Sequence, residues 1–271
     1  MVRSLWTAAT GMIAQQTNVD TIANNLSNVN TTGYKTEVAE FKTLLYQNLQ
    51  TRTTTANGAN KPIGAQVGLG VRNAAITSMF KQGSLYENSS DSAFAIQGDG
   101  FFAVRGEDGE TCYTRNGNFI WAVDGDNLTL STTDGRYVLD SNGRKISFGS
   151  NYVMSRITIS ADGTVCYPDE NNNAQSLGIT IGLFQFQNPS GLNKLEESLY
   201  SITEASGQAM NEFTNPALSR SSVAQGYLEG SNVQVADEMV NLIVAQRAYE
   251  MNSKAIQTAD SMLQTANELK R

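Results

Sequence analysis

The last 39 residues, 233–271, contain neither Gly nor Pro. Nothing in their composition interrupts a helix, which at about 1.5 Å per residue would run roughly 58 Å. Apolar positions recur there with a period of seven. Val235, Leu242, Tyr249, Ile256 and Leu263 form one row, and Ala245, Asn252, Ala259 and Ala266 stand three positions after the last four of them. This pattern predicts a coiled-coil seam with a thin, Ala-rich second row. Ser231 and Gln234 stand at capping-box spacing, Asp237 and Glu238 lie in the first turns, and Lys270 and Arg271 close the end. Charge therefore opposes the macrodipole at both termini.

The other end of the chain repeats the pattern. Leu5, Met12, Val19 and Leu26 share one heptad position, and Ala8, Gln15, Ile22 and Val29 the next. A helix from about Ser4 to about Asn28 is predicted, stopping in Asn30-Thr31-Thr32-Gly33, where Gly supplies a left-handed residue. A single amphipathic helix usually packs on its own domain; matching stripes at opposite ends of one chain favour pairing with each other. Residues 1–34 carry only two charges, Arg3 and Asp20. A solvated helix face normally alternates charges, so this uncharged polar face also lies against protein, which points to other copies of the chain. Ordering both ends in a lone subunit is costly in backbone entropy, so they are expected to fray there and to order in an assembly.

Between the termini the period shortens. Phe41–Leu49 is a mixed segment that reads either as more helix or as packing on the next domain. Gln50–Asn60 reads in isolation as a flexible linker, and Gly64–Val71 as extended chain. From about Ser84 to Ile202, short runs such as Phe94–Gln97, Phe101–Val104, Tyr137–Leu139 and Ile157–Ile159 read as strands. They are separated by Asp108-Gly109, Asp124-Gly125, Asp134-Gly135, Asn142-Gly143 and Asp162-Gly163. Such pairs supply the positive φ that tight hairpins require, which predicts an antiparallel β domain. Ser206–Ser222 reads as a polar connector and Tyr227-Leu228 as a last strand.

Composition narrows the chemistry. Charged residues make up 17 % of the chain, below the usual quarter, and 26 Asn help to fill the gap. A net charge of −7 without a Lys/Arg cluster excludes nucleic acid as a partner. There is no His, and Cys112 and Cys166 stand 54 residues apart, so no zinc spacing or Cys/His pair can be built; both read as small buried hydrophobes, with a disulfide between them the less favoured alternative. No apolar run is long enough for membrane insertion, and no basic start precedes an apolar one, which on its own reads as cytoplasmic. Gly98-Asp99-Gly100 lacks the third glycine of a nucleotide loop and reads as a hairpin turn. Asp124-Gly125-Asp126 opens like a calcium loop but has Thr129 and Gly135 where Gly and Glu are needed. No cofactor, metal or catalytic residue is expected; a carboxylate pair for glycoside hydrolysis is the distant alternative.

The wording of several stretches is specific. Ala23-Asn24-Asn25-Leu26-Ser27-Asn28-Val29-Asn30-Thr31-Thr32-Gly33-Tyr34-Lys35 resembles the signature of the bacterial flagellar rod and hook proteins. Ser4-Leu5-Trp6 and Gln15-Gln16-Thr17-Asn18 are similar to the distal-rod branch of that family. Gly230-Ser231-Asn232-Val233 and Gln246-Arg247-Ala248-Tyr249-Glu250-Met251-Asn252-Ser253-Lys254 resemble its C-terminal signature. Ile96–Phe102, Tyr113–Gly117 and Asn188–Leu192 match its middle region, and the likeness is weakest over about 143–173. Asn24, Asn25, Asn28 and Asn30 are expected to bond backbone where the helix unwinds.

The resemblance implies an α+β fold with long N- and C-terminal helices paired as a coiled coil (1–30 and 231–271), a connecting segment (31–83) and a central antiparallel β domain (84–230). Residues about 46–72 would form an extended arm that braces neighbouring subunits and stiffens the tube. The implied function is that of a non-enzymatic distal-rod subunit, self-assembling into a rigid hollow shaft that transmits torque from motor to hook. Implied partners are further copies in a helical polymer, other rod subunits, hook or hook-junction proteins, the flagellar type III export apparatus and surrounding ring proteins. The implied location is the basal body, spanning the periplasm, reached without a cleaved signal, which replaces the cytoplasmic reading. The expected assembly interface is Leu5, Met12, Val19, Ile22, Leu26, Val29, Val235, Leu242, Tyr249, Ile256 and Leu263. Gly33, Asn232, Gln246 and Arg247 join the four asparagines and Tyr249 as family-motif residues. A proximal-rod or hook subunit is the alternative within the family, and a secreted β-rich binding module or hydrolase the alternative outside it.

Overall fold

The heptad rows at the two ends become two helices, α1 (Val2–Ser27) and α2 (Val235–Glu268). At about 1.5 Å per residue they are roughly 39 and 51 Å long. They belong to a computed structural model that describes residues 2–50, 65–106, 109–149, 152–169 and 173–269. The fold is α+β, and the chain divides into two compact units. The first holds residues 1–27, 37–77 and 234–271; the second holds 28–36 and 78–233. The expected capping box at the start of α2 is not formed. Gln234 is the N-cap and makes no side-chain cap bond, while Ser231 Oγ accepts from the backbone N–H of Val233, two residues away. Ser231 stands three residues before the N-cap, too early to reach the helix's own donors. Lys270 and Arg271 lie outside the described residues.

In the first unit, the segment read either as helix or as packing is strand. β1 (Glu37–Thr43) and β2 (Tyr46–Gln50) run out, and β3 (Ala65–Gly68) and β4 (Val71–Ser78) return, with β1 paired to β4 and β2 to β3. The β2/β3 ladder is antiparallel, Tyr46 opposite Gly68 and Gln47 opposite Val67. The linker reading of 50–60 and the middle of the 46–72 stretch lie mostly outside the described residues. The ribbon is tied to α1 at two points. Asn25 is bonded to Glu37, and Thr10 Oγ1 accepts from the N–H of Val71 at 3.3 Å, beside Gly70, whose carbonyl accepts from Leu44. Fifteen residues of helix between Asn25 and Thr10 span about 22 Å, and the seven steps of strand from Glu37 to Leu44 about 23 Å, so the two spacings match. Gly70 sits at φ 116°, and a side chain there would run into Thr10 Oγ1.

Among the described residues the strands of the second unit are, in chain order, β5 (Leu85–Glu87), β6 (Phe94–Gln97), β7 (Phe101–Arg105), β8 (Thr111–Thr114), β9 (Phe119–Asp124), β10 (Asn127–Thr132), β11 (Ser147–Gly149), β12 (Thr158–Ile159), β13 (Thr164–Pro168), β14 (Ala174–Thr180), β15 (Leu183–Gln185), β16 (Asn193–Lys194), β17 (Leu199–Ser201), β18 (Met210–Asn211), β19 (Ser222–Gln225) and β20 (Tyr227–Glu229). A six-stranded sheet runs β16-β17-β8-β7-β15-β18. Three-stranded sheets run β11-β10-β9 and β12-β13-β14, and β19 pairs with β6 and β20 with β5. β7 is covered on both faces: Phe102 and Val104 enter one apolar cluster, Phe101 and Ala103 the other. That is the period-2 alternation of a strand with core on each side. Gly125 and Gly143 hold φ 63° and 77° at turns where Asp-Gly and Asn-Gly were read. Tyr137–Leu139 makes isolated bridges, not a full strand. Gly98-Asp99-Gly100 is not a hairpin turn, because β6 pairs with β19 and β7 with β8 and β15; it carries the chain from one sheet to another.

Charge is divided unevenly. The second unit holds 18 acidic and 10 basic residues and the first 8 and 9, so the net charges are −8 and +1.

Candidate functional site

α1 and α2 pack side by side within the first unit. A Cβ on Gly11 would come within 2.9 Å of the Asn252 side-chain amide, and Gln16 and Val19 share a groove of about 360 Å³ with Gln246, Tyr249 and Glu250. As the position on α1 rises from 11 to 19 its neighbour on α2 falls from 252 to 246, so the helices are antiparallel. Apart from Ile22, the side chains buried along them are small or polar: Ala8, Ala14, Thr21 and Asn25 on α1, Glu238, Ala245 and Ala259 on α2. The thin row is the one most deeply covered, since small residues let backbones approach. Of the residues expected at an interface, Ile22 is buried and Leu5, Met12, Val19, Leu26, Val29, Leu242, Ile256 and Leu263 are half-buried. Val235 and Tyr249 remain exposed at 45 % and 42 %. A straight helix drifts about 20° per heptad against a strict repeat of seven, so Val235 stands roughly 80° from Leu263, four heptads away.

α2 also carries a second apolar row that the sequence reading did not pick out. Val240, Val244, Met251 and Met262 are exposed at 59 %, 62 %, 65 % and 54 %, and Ala248 and Ala255 lie between them. At about 100° per residue these large side chains stand roughly 100–140° around the helix from Ala245. Their spacing of four, seven and eleven was visible in the sequence, but the more regular first row drew the assignment.

The motif residues at the end of α1 act as backbone substitutes. The Asn25 side chain is buried. It donates to the Glu37 carbonyl at 2.8 Å and accepts from the Glu37 N–H at 2.9 Å, as a neighbouring strand would. Asn24 donates to the Glu37 carboxylate at 3.1 Å. In the second unit, Asn28 accepts from the Thr31 hydroxyl at 3.1 Å, while Asn30 is exposed. Asn25 thus makes the backbone bonding expected of the motif asparagines. Asn232 makes four bonds: it accepts from the N–H and hydroxyl of Thr36, both at 2.7 Å, and donates to the carbonyls of Met79 (2.9 Å) and Lys81 (3.0 Å).

Beside Asn232 lies a fully buried ionic cluster. Lys35 Nζ donates to Glu229 Oε1 at 2.6 Å and to the Lys81 carbonyl at 2.9 Å. Glu229 Oε1 also accepts from the Gly83 N–H at 2.9 Å. Arg115 approaches Glu229 Oε2 at 3.4 Å and donates to the Gly98 carbonyl at 2.8 Å. The Glu229 carbonyl accepts from Gly33, at φ 70°, where a Cβ would meet the Asn116 nitrogen at 2.6 Å. Burial lowers the pKa of Lys35 and of Arg115, with Glu229 opposing the shift in each case. The sequence points to Lys35 and Arg115 only as members of longer motifs, and to Glu229 not at all. Three charges scattered over 194 residues leave no local spacing to read.

The remaining candidates are structural. Arg247 pairs with Glu250 at 2.8 Å and Gln246 lines the groove. Asp124, at the rejected calcium loop, accepts from Lys145 at 2.7 Å, which lowers its pKa. Cys112 and Cys166 are buried thiols with no disulfide between them. Among the described residues no three His, Cys, Asp or Glu side chains converge as a metal site, and no helix is long and apolar enough to cross a membrane.

Three family models match. Residues 5–35 match "Flagella basal body rod protein", 95–167 match "Flagellar hook protein FlgE/F/G D1 domain", and 224–269 match "Flagellar basal body rod FlgEFG protein C-terminal". The chain is 46 % identical to the flagellar basal-body rod protein FlgG of Borreliella burgdorferi over the full length of both. It is 42 % identical to that of Agrobacterium fabrum over 96 % of this chain and 97 % of the relative, and 36 % identical to that of Bacillus subtilis over the full length of both.

Proposed function

As the chain belongs to the family of flagellar basal-body rod proteins, we propose that it is a structural subunit of the distal rod, assembling with copies of itself into a rigid hollow shaft. The observation that carries this reading is the uncovered row on α2: four large apolar side chains, each more than half exposed, on a helix whose other face is already occupied. Contiguous exposed apolar surface of that kind marks an interaction site. In the reading proposed, α1 and α2 form an antiparallel coiled coil, the open row receives a helix of a neighbouring copy, and full protection of both ends is reached only in the polymer. The charge division agrees with it, since the nearly neutral first unit can be crowded against its copies at little electrostatic cost.

The ribbon supplies the arm. Leu45, Tyr46 and Leu49 are exposed at 83 %, 59 % and 54 %, and residues 46–72 would use such side chains to brace neighbours. Other rod subunits, hook or hook-junction proteins and surrounding ring proteins are the further partners of this reading. Export through the flagellar type III apparatus would bring the subunit to a shaft that spans the periplasm. The task is mechanical; no step of it calls for catalysis. A proximal-rod or hook role is the second reading, favoured by the family model over residues 95–167, whose description names a hook protein.

The test is sedimentation and electron microscopy of the full-length chain beside Val244→Asp/Met251→Asp. Straight polymers from the parent, with a soluble variant whose β unit melts unchanged, are expected. Polymers in ordinary yield from the double variant would remove the open row's role, and a parent that stays monomeric at every concentration would remove self-assembly. Deleting 46–72 should leave polymers that bend.

A further inference from the structure

We propose that the buried cluster centred on Glu229 is a coincidence latch, which lets the segment following α1 and the segment preceding α2 become ordered on the β unit only together. Its use in assembly rests on the function proposed above; its existence does not. Both segments, 28–36 and 229–233, lie within the second unit, and each satisfies buried groups of the other. The Gly33 N–H is bonded to the Glu229 carbonyl at 2.8 Å, Lys35 Nζ to Oε1 of the same residue at 2.6 Å, and the N–H and hydroxyl of Thr36 to Asn232.

Each half alone is a poor structure. Without residues 28–36, Glu229 keeps Gly83 and the 3.4 Å approach of Arg115, and Asn232 loses both donors to its oxygen. Without residues 229–233, the Lys35 ammonium, fully buried in the intact structure, loses its carboxylate and keeps the Lys81 carbonyl. Breaking a buried ion pair leaves an uncompensated charge, and every buried donor or acceptor stripped of its partner adds to the penalty. The two segments lie 194 residues apart in the chain at Lys35 and Glu229, so the arrangement couples its distant ends through one carboxylate. The coupling is reciprocal, as any linkage between two ordering events must be. A subunit whose first residues are still held elsewhere, or have been clipped, would not present the root of α2 in fixed form. Assembly would then be restricted to whole chains.

The test is amide hydrogen exchange, read by mass spectrometry, on the monomeric full-length chain, a measurement that does not depend on polymer formation. In Lys35→Met, exchange of the 229–233 amides should rise at least about a hundredfold although the substitution lies in the other segment, and Glu229→Gln should do the same to 30–36. Thr36→Val keeps the ion pair and removes one hydroxyl, so it remains informative if the charge variants do not fold. It should raise exchange at 232–233 about tenfold. Val223→Ala in the apolar core serves as reference and should loosen the β unit evenly. Substitutions that each loosen only their own segment, or that match the even pattern of Val223→Ala, would overturn the latch.

Discussion

The two units bury different kinds of side chain. In the β unit the covered residues are Phe94, Phe101, Phe102, Phe119, Leu130 and Ile181, each at most 1 % exposed. In the helical unit they are chiefly Ala8, Ala14, Ala245 and Ala259, while Trp6, Ile13, Val244 and Met251 face outward. A unit with large apolar groups inside is finished as a monomer. One with small groups inside and large ones outside has spent little of its apolar surface on its own fold, and the remainder is available to neighbours.

Substitutions should separate the two cases. Phe102→Ala, in the β core, should cost about 3–5 kcal/mol of unfolding free energy by urea titration of the monomer. Ala245→Leu forces bulk between closely approaching helices and should cost about 1–3 kcal/mol, seen as a lower melting temperature of the helical circular dichroism signal. Tyr113 sharpens the contrast through pH. Burial raises its hydroxyl pKa from 10 to about 12, with Cys112 adding to the shift. The unfolded chain therefore releases this proton first, so the contribution is intact below pH 10 and is lost as pH climbs from about 10 to 12, on the order of 2 kcal/mol. Tyr113→Phe should remove that part of the alkaline loss; a parallel decline in parent and variant would contradict it. Val244→Ser should change monomer stability by less than about 0.5 kcal/mol, because its side chain is already in water. If it costs as much as Phe102→Ala, the distinction between the units collapses. Smallest of all, raising ionic strength from 0.01 to 0.15 M shortens the screening length from about 30 to 8 Å and should modestly speed polymer growth by muting repulsion between acidic β units.

Much of this was legible in the sequence. Periods of seven located both helices, and Asp-Gly and Asn-Gly pairs located the turns, since both signals are local. The ribbon was not, because Phe41–Leu49 mixes apolar and polar residues without a clean period, and its strand state is fixed by partners some 20–40 residues on and by Asn25. In the candidate site, Asn25, Gly33 and Asn232 were singled out, whereas Glu229 and Arg115 were not, because their meaning lies in each other. The depth of the Ala row escaped a reading that ranks side chains by size.

The paired bonds between Asn25 and Glu37, with the tie at Thr10 a helix-length away, have one more consequence. A strand pair standing alone can slide by two residues and keep its pleat. Here α1 serves as a ruler laid against it, so chain could be inserted or removed beyond Leu45 while everything below stays in step. How far the projection reaches would then be open to variation without any redesign of its base.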